Sequence, residues 1–323
     1  MKSIRILILA GALCVFGHAS AYAQSRYPVK PIRLIVPAPA GGATDALSRL
    51  VAVKLTETVG WQIVVDNRAG MGGNIGLQAA TQAADGYTMV MGQTSNIAIA
   101  PALYEKLPYD PLRDFVAVTL VSASPIAFSA APKSSYKTLA DFVTAAKAKP
   151  AQLTYASPGV GSLSHLTGEF FQRTAGIRFL DVPYKGSTLA LPDLMGGRID
   201  VVSTSLEAVM PQMKAGAVRV LAITSLQRSP AAPDVPTVSE SGYKDFQAVS
   251  WYGILVAKGA PAPIVDRLTT EITKILLRPE VKERFVASGS VPMEGGPKAF
   301  SALLHSELPK WARVIKESGV KVE

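Results

Sequence analysis

Three short loops that contain glycine and other small residues each follow an apolar segment and precede a helical pattern. They are PAPAGGAT at residues 37–44 after the segment 32–36, PGVG at 158–161 after 153–157, and KG at 185–186 after 181–184. A helix that begins directly after such a loop presents main-chain N–H groups and the positive end of its dipole at its first turn. Because this arrangement binds small anions, the first chemistry that the sequence predicts is recognition of a small anionic ligand.

The glycines of these loops favour the same interpretation. Glycine lets the backbone approach a ligand closely and adopt a positive φ. Gly41, Gly42, Gly159, Gly161 and Gly186 are therefore predicted to direct N–H groups at the ligand. For any one loop, an ordinary tight turn before a helix explains the glycines equally well. Three such loops in one chain favour ligand contact.

Hydroxyl and charged side chains at the loops have two roles open to them. Thr44, Ser162 and Ser187 can each cap a helix or donate a hydroxyl to the ligand. Asp45 is placed to cap a helix and pair with its dipole, and direct ligand contact is the second interpretation. His165 falls in the first turn of the helix after the second loop, where it either contacts the ligand or makes a structural hydrogen bond.

Other kinds of site find little support in the sequence. His165 and His305 are the only histidines of the mature chain, and they do not have the spacing of metal ligands. Ser162 lacks the Gly-x-Ser-x-Gly context of a hydrolase nucleophile. The glycine-rich stretch 70–76 does not match the dinucleotide pattern G-x-G-x-x-G. We therefore expect no metal, no cofactor and no enzyme activity, with a secreted hydrolase acting on a small acid or ester as an alternative.

The N-terminus has the composition of a secretory signal peptide. Lys2 and Arg5 form the basic start, residues 6–16 form the apolar core, and the cleavage motif Ala-Tyr-Ala ends at Ala23. The single cysteine, Cys14, lies inside this segment, so the mature chain has no thiol. We expect a periplasmic protein from which the signal is removed.

Charge and size narrow the class of protein further. The chain of 323 residues has a formal net charge of +9, which attracts anions. Its basic residues are scattered and do not alternate with aromatic residues, so nucleic acid is not an expected partner. With 48% apolar residues and more length than one core usually needs, the chain is predicted to fold into two lobes.

Short apolar segments alternate with helical patterns along most of the chain. The predicted strands are 33–36, 63–66, 87–92, 116–121, 126–130, 153–156, 218–224 and 252–257. The predicted helices include 45–58, 139–148, 264–277 and a C-terminal helix over 297–318 that Pro309 breaks. This alternation predicts an α/β fold with mostly parallel sheets and flanking helices.

Two extended apolar segments, 124–132 and 250–258, are predicted to cross between the lobes. The predicted organisation is a signal peptide at 1–23, a discontinuous lobe 1 at 24–129 plus 251–323, and lobe 2 at 130–250.

Several short motifs, in their order and spacing, resemble those of a known receptor family. They are YPVKPIR at 27–33, PAPAGGATD at 37–45, DNRAGMGGNIG at 66–76, DGYT at 85–88, LPYDP at 107–111, VPYKGS at 182–187, LMGGRID at 194–200, DVPTV at 234–238 and SWYG at 250–253. Over essentially the whole mature chain, the sequence resembles the Bug-type receptors, the solute-binding components of tripartite tricarboxylate transporters.

This resemblance implies a two-lobed, type II-like periplasmic binding fold that closes on a small organic carboxylate about two hinge crossovers. It implies binding through the three loops and through Ser95 after the third strand. The ligand-binding residues expected from the loops and the resemblance are Ala38, Pro39, Ala40, Gly41, Gly42, Thr44, Asp45, Ser95, Ser157, Gly159, Gly161, Ser162, His165, Tyr184, Gly186, Ser187 and Ser205. The implied partners are a dicarboxylate, tricarboxylate or aromatic acid and membrane transporter subunits. We expect a monomer, and a receptor that signals to a sensor is a second alternative.

The sequence departs from the family pattern at three places. Ala38 stands where an aromatic residue is usual, and Pro158 removes one N–H donor from the second loop. The uncharged Ser203-Thr204-Ser205 segment stands where relatives have Asp or Asn. The apolar first loop and this uncharged segment favour an aromatic or simple dicarboxylic acid as the ligand.

Overall fold

The computed structural model describes residues 27–322 of the chain. The predicted signal peptide lies outside these residues. Among the residues described, no helix combines the length and the apolar character needed to cross a membrane.

Most strands of the structure follow the predicted segments, but the strands at 180–183, 201–205 and 291–292 were not among those predicted. They are β1 Ile32–Val36, β2 Ile63–Asn67, β3 Thr88–Gln93, β4 Phe115–Ala130, β5 Thr154–Ser157, β6 Leu180–Pro183, β7 Val201–Ser205, β8 Arg219–Ile223, β9 Val249–Ala257 and β10 Val291–Pro292. The two strands predicted at 116–121 and 126–130 form one continuous strand, β4.

The helices flank the strands. They are α1 Ala43–Val59, α2 Asn74–Thr81, α3 Ala100–Leu103, α4 Leu139–Ala148, α5 Leu163–Ala175, α6 Ser187–Met195, α7 Leu206–Lys214, α8 Ala262–Leu276, α9 Pro279–Ser288 and α10 Pro297–Ser318. A short 3-10 turn at Met71–Gly73 precedes α2, and a π-helical turn at Ser95–Ile99 precedes α3.

The strands pair in the order β2-β1-β3-β9-β4-β7-β5-β6, and β8 and β10 also pair with β4. Pairing is parallel among β1, β2 and β3 and among β5, β6 and β7. Every pair that involves β4 or β9 is antiparallel. The α/β fold is therefore confirmed, but the prediction of mostly parallel sheets is wrong: the sheet is mixed, because the two long strands at its centre run against their neighbours.

Strand β4 joins the two halves of the sheet. Its residues Phe115 to Pro125 pair with β9, and its residues Ile126 to Ala130 pair with β7 and β8. The chain returns to the first half of the sheet close to this point. The Thr224 N–H, after β8, donates to the Ile126 carbonyl at 2.9 Å, and the Ala248 N–H, before β9, donates to the Thr224 carbonyl at 3.1 Å. The two halves of the sheet, which we call the half-sheets, are therefore connected by β4 and by the segment 224–248 between β8 and β9, and these two connections lie side by side at Ile126 and Thr224.

Helix α10 contradicts one prediction. It continues through Pro309, although proline lacks the N–H that would bond the carbonyl four residues earlier. Buried residues lie on both sides of Pro309: Leu304 and Glu307 before it, Trp311 and Ile315 after it. The prediction of a break is wrong because tertiary packing of the helix outweighs the local cost of proline, about 3 kcal/mol.

Candidate functional site

The first loop, residues 37–42 between β1 and α1 (loop 1), is held in place by the buried Asp45 carboxylate. Asp45 accepts hydrogen bonds from the Gly41 N–H at 2.9 Å, from Asn67 at 2.9 Å and from Arg49 at 2.9 Å. Asn67 also donates to the Ala38 carbonyl at 3.1 Å. These donors, Arg49 first, lower the pKa of Asp45 to about 2. Asp45 therefore shapes loop 1 as an ionised carboxylate.

The two glycines at the end of loop 1 have different roles. Gly41 has φ +84°, which favours glycine, and its N–H is committed to Asp45. Gly42 is the N-cap of α1 and has an extended conformation, with φ −81° and ψ 172°. At the start of α1, the Thr44 hydroxyl donates to the Gln93 side-chain oxygen at 2.8 Å and ties the helix to the end of β3. Of the two glycines, Gly42 is the better placed to offer an N–H to a ligand.

The second loop, residues 158–162 between β5 and α5 (loop 2), is organised by Ser162 and His165. The Ser162 hydroxyl accepts a hydrogen bond from the His165 N–H at 3.2 Å and so caps α5. The Gly161 N–H donates to Nδ1 of His165 at 3.3 Å. The other ring nitrogen, Nε2, lies 3.4 Å from the Asp181 carboxylate. His165 is buried in a structural arrangement that fixes loop 2 from behind.

The third loop, residues 184–186 between β6 and α6 (loop 3), is bonded to loop 2. The Gly186 N–H donates to the Pro158 carbonyl at 3.0 Å, and the Tyr184 N–H donates to the Ser157 carbonyl at 2.9 Å. The Tyr184 hydroxyl donates to the Asp193 carboxylate at 2.7 Å. Loops 2 and 3 thus form one unit, and the Gly186 N–H is already used within it.

Loop 1 borders two cavities. The first, which we call the loop cavity, has a volume of about 510 Å³ and lies between loop 1 and loop 2. Its lining residues are Pro37, Ala38, Pro39, Ala69, Gly70, Gly72, Gly73, Asn74, Gln93, Ser95, Leu103, Tyr104, Pro158, Gly159, Val160, Gly161 and Ser162. None of them carries a charge.

The second cavity, which we call the Glu207 cavity, has a volume of about 470 Å³ and lies between the end of loop 1 with the start of α1 on one hand and helices α6 and α7 on the other. Its lining residues are Gly41, Gly42, Ala43, Ala46, Leu47, Ser187, Thr188, Leu191, Pro192, Met195, Glu207, Ala208, Gln212 and Ser288. Glu207 is the single charged residue among them.

The structure divides the predicted ligand-binding residues into three groups. Those at the loop cavity are Ala38, Pro39, Ser95, Gly159, Gly161 and Ser162. Those at the Glu207 cavity are Gly41, Gly42 and Ser187. Those that line neither cavity are Ala40, Thr44, Asp45, Ser157, His165, Tyr184, Gly186 and Ser205. Loop 1 therefore borders both cavities and loop 2 borders the loop cavity, whereas loop 3 borders neither, although Ser187 directly after it lines the Glu207 cavity.

Residues that the sequence did not single out also line these cavities. Gln93 and Asn74 line the loop cavity, and Thr188, Glu207 and Gln212 line the Glu207 cavity. Glu207 lies in the first turn of α7, where an acidic residue ordinarily pairs with the helix dipole at the surface. The sequence pattern therefore gave no reason to place it beside a ligand. Among residues 27–322, no group of His, Cys, Asp and Glu is arranged to hold a metal ion.

Sequence comparison connects the chain to solute receptors. A family model described as the tripartite tricarboxylate transporter family receptor matches residues 47–320. Protein BugT of Bordetella pertussis is 36% identical over 326 residues, an alignment that covers 100% of this chain and 100% of BugT.

Solved structures give the same result. R. palustris Rpa4515 with adipate has a TM-score of 0.84 at 32% identity, covering 92% of this chain and 99% of that one. MatC from Rhodopseudomonas palustris with bound malate has a TM-score of 0.79 at 29% identity, covering 90% of this chain and 100% of that one. These similarities confirm the predicted class of fold.

Proposed function

The chain belongs to the tripartite tricarboxylate transporter receptor family, and on that premise we propose that it captures a small organic carboxylate between its two half-sheets and delivers it to a membrane transporter. The observation that carries this proposal is the position of loop 1, which borders both cavities and faces loop 2 in one and the start of α6 in the other. A carboxylate on loop 1 is therefore within reach of both half-sheets.

The chemistry of the loops suits a carboxylate. Helices α1, α5 and α6 begin directly after Gly42, Ser162 and Gly186, so three positive helix ends border the two cavities. The loops are held in place by their own hydrogen bonds, so little order has to be created on binding. Rpa4515 and MatC, which were solved with adipate and malate, support a ligand of this size and charge.

Closure of the two half-sheets about their two connections would change the shape of the receptor when the ligand binds. A ligand that contacts both half-sheets binds the closed form more tightly than the open form and shifts the population toward it. Family members are periplasmic receptors and not enzymes, so the secreted hydrolase alternative is not retained. We propose that this receptor, too, works in the periplasm as a monomer.

A thermal-shift screen of the purified protein against organic acids tests ligand capture. A true ligand present at about a hundredfold excess over its Kd adds about 2.7 kcal/mol to the free energy of unfolding and raises the melting temperature accordingly. Dicarboxylates, tricarboxylates, hydroxy acids, amino acids and aromatic acids form the screen, and matched uncharged amides of each hit serve as controls. If no acid raises the melting temperature more than its amide, the proposal is wrong.

Delivery to a transporter needs a separate experiment. We expect deletion of the gene to abolish cellular uptake of the radiolabelled acid identified in the screen, and plasmid expression to restore uptake. Normal uptake in the deletion strain, together with loss of a transcriptional response to the acid, would instead favour the sensor alternative.

A further inference from the structure

The loop cavity has no charged lining residue, so a carboxylate inside it has to be recognised by neutral donors. Several main-chain donors that the sequence predicts for this role are engaged within the protein. The N–H groups of Gly41 and Gly161 donate to side chains, and the Gly186 N–H donates to a carbonyl of loop 2. Side-chain donors at the loop cavity are therefore needed to complete the recognition of a carboxylate.

Two side-chain amides line the loop cavity, and they differ in their access to it. Asn74 is buried, its Nδ2 is shielded from solvent, and its oxygen accepts a hydrogen bond from the Tyr109 hydroxyl at 2.8 Å. Gln93 is only half-buried. Its Nε2 has no hydrogen-bond partner among residues 27–322, and it is not one of the partnerless atoms that are shielded from solvent there. Gln93 therefore has an accessible amide donor, whereas Asn74 does not.

The start of α1 fixes the orientation of the Gln93 amide. Thr44 is buried, and its hydroxyl donates to the Gln93 Oε1 at 2.8 Å. A hydroxyl that donates to an amide selects the amide oxygen, so the NH₂ group is left for another acceptor. Thr44 itself does not line the loop cavity. It can therefore act on a ligand in this cavity only through Gln93.

The main chain of Gln93 is fixed as well. Gln93 is the last residue of β3, and it pairs with Tyr252 on β9. Its N–H donates to the Oδ1 of Asn96 at 2.9 Å, and Asn96 is fully buried. A side chain that is held both at its backbone and at its amide oxygen loses little freedom when it donates to a ligand.

We propose that Gln93 is a specificity-determining residue of this receptor, whose Nε2 donates to a carboxylate oxygen of the ligand in the loop cavity, and that Thr44 is its positioning residue. This inference rests on the proposed function. Ser162 lines the same cavity and belongs to the other half-sheet, so a carboxylate there has a side-chain donor available from each half-sheet. An NH₂ group can only donate, so the receptor selects acids that place an acceptor at this position and rejects an ammonium group there.

Two variants of Gln93 separate donation from packing. Titration calorimetry measures the binding of adipate, malate and each acid found in the thermal-shift screen. Gln93→Glu keeps the shape of the side chain and can still accept from Thr44, but it replaces the donor with a negative charge. We expect its affinity to fall at least about a hundredfold. Gln93→Met removes the donor without adding charge and should weaken binding about tenfold. A packing role would give the reverse order, because glutamate is closer in shape to glutamine than methionine is.

The controls address net charge and positioning. Gln78→Glu, on the exposed part of α2, changes the net charge by the same amount and should bind as the wild type does. Thr44→Val should weaken binding about threefold or more, and Thr44→Ser should retain wild-type affinity because it keeps the hydroxyl. In a protein that already has Gln93→Met, Thr44→Val should add no further loss, since Thr44 acts through the Gln93 amide.

The melting temperature of each ligand-free variant shows whether the variant is folded. Wild-type affinity in Gln93→Glu, or a smaller loss in Gln93→Glu than in Gln93→Met, would overturn the inference. If Gln93→Glu does not fold, Gln93→Met decides, and unchanged affinity in that variant overturns the inference. If no acid of the screen binds the wild type, the proposed function fails and this inference fails with it.

Discussion

The two cavities that border loop 1 differ in how they are lined. The loop cavity is built from main-chain and uncharged groups, and its loops are tied together by their own hydrogen bonds. The Glu207 cavity shares loop 1 and is also lined by Glu207, a residue whose carboxyl oxygens are shielded from solvent. Because loop 1 is common to both, affinity for a carboxylate and selectivity for the remainder of the ligand can reside in different elements.

We expect the largest effect from Glu207, which lines only one of the two cavities. It should make the free energy of unfolding depend on pH. Its pKa of about 7 in the folded protein lies above the ordinary value of a glutamate, 4.5, because the carboxyl group is buried. The folded state therefore retains the proton longer, and the free energy of unfolding falls as pH rises from about 4.5 through 7. The loss amounts to about 3 kcal/mol. Glu207→Gln should remove this decline in denaturant unfolding experiments at about pH 5 and pH 8.

The control for this measurement is Glu57→Gln, since the Glu57 side chain is exposed and forms an ion pair with Lys54 on the same helix. It should follow the wild-type curve. If Glu207→Gln also followed that curve, the carboxyl would be stabilised by groups other than those that line its cavity, and the contrast between the cavities would disappear.

The next effect concerns the shared element, loop 1. Gly42→Ala should weaken carboxylate binding about tenfold or more, because a methyl group there occupies the approach to the α1 amides. The substitution is compatible with the fold: φ is −81°, and the nearest atom to an added Cβ is the Pro39 carbonyl oxygen at 3.7 Å. Titration calorimetry with the acid from the screen measures the change.

Gly41→Ala is the matched comparison, because its φ of +84° strains any residue with a side chain. It should lower the melting temperature of the ligand-free protein, whereas Gly42→Ala should not. Unchanged affinity in Gly42→Ala would mean that loop 1 is only a turn.

The local elements were predictable from the sequence. Thr138 and Asp141 predict the start of α4, and the structure has the reciprocal hydrogen bonds of a capping box there. The Asp141 N–H donates to the Thr138 hydroxyl at 3.2 Å, and the Thr138 N–H donates to the Asp141 carboxylate at 2.9 Å. The boundaries 139–148 were therefore predicted correctly. Such signals act between residues three or four positions apart, so no tertiary information is needed.

Features that depend on distant parts of the chain were not predictable in the same way. Strand direction at the centre of the sheet is decided by where β4 and β9 meet, and their residues are more than a hundred positions apart. The continuity of α10 through Pro309 depends on packing around Trp311. Glu207 lines a cavity together with loop 1 only because the fold brings α7 near that loop. The loops themselves were recognisable because glycine and hydroxyl residues mark turns and caps locally.

The smallest expected effect is a difference in ligand affinity between variants of two serines, Ser162 and Ser205, that both cap helices. Ser162 accepts the His165 N–H at 3.2 Å beside the loop cavity, and Ser205 accepts the Ala208 N–H at 3.4 Å but lines neither cavity. Each change to Ala should lower the free energy of unfolding by about 1 kcal/mol, since each removes an N-cap.

Affinity should respond differently in the two variants. A serine hydroxyl that accepts one hydrogen bond still has a hydrogen to donate, so Ser162 can cap α5 and also contact a ligand on loop 1. Ser162→Ala should therefore weaken binding by about twofold to tenfold, and Ser205→Ala should leave it unchanged. If both variants weakened binding equally, the loss would come from loosened helix starts, and Ser162 would act only as a cap. If neither did, the carboxylate would be held on the Glu207 side of loop 1, and the loop cavity would take no part in binding.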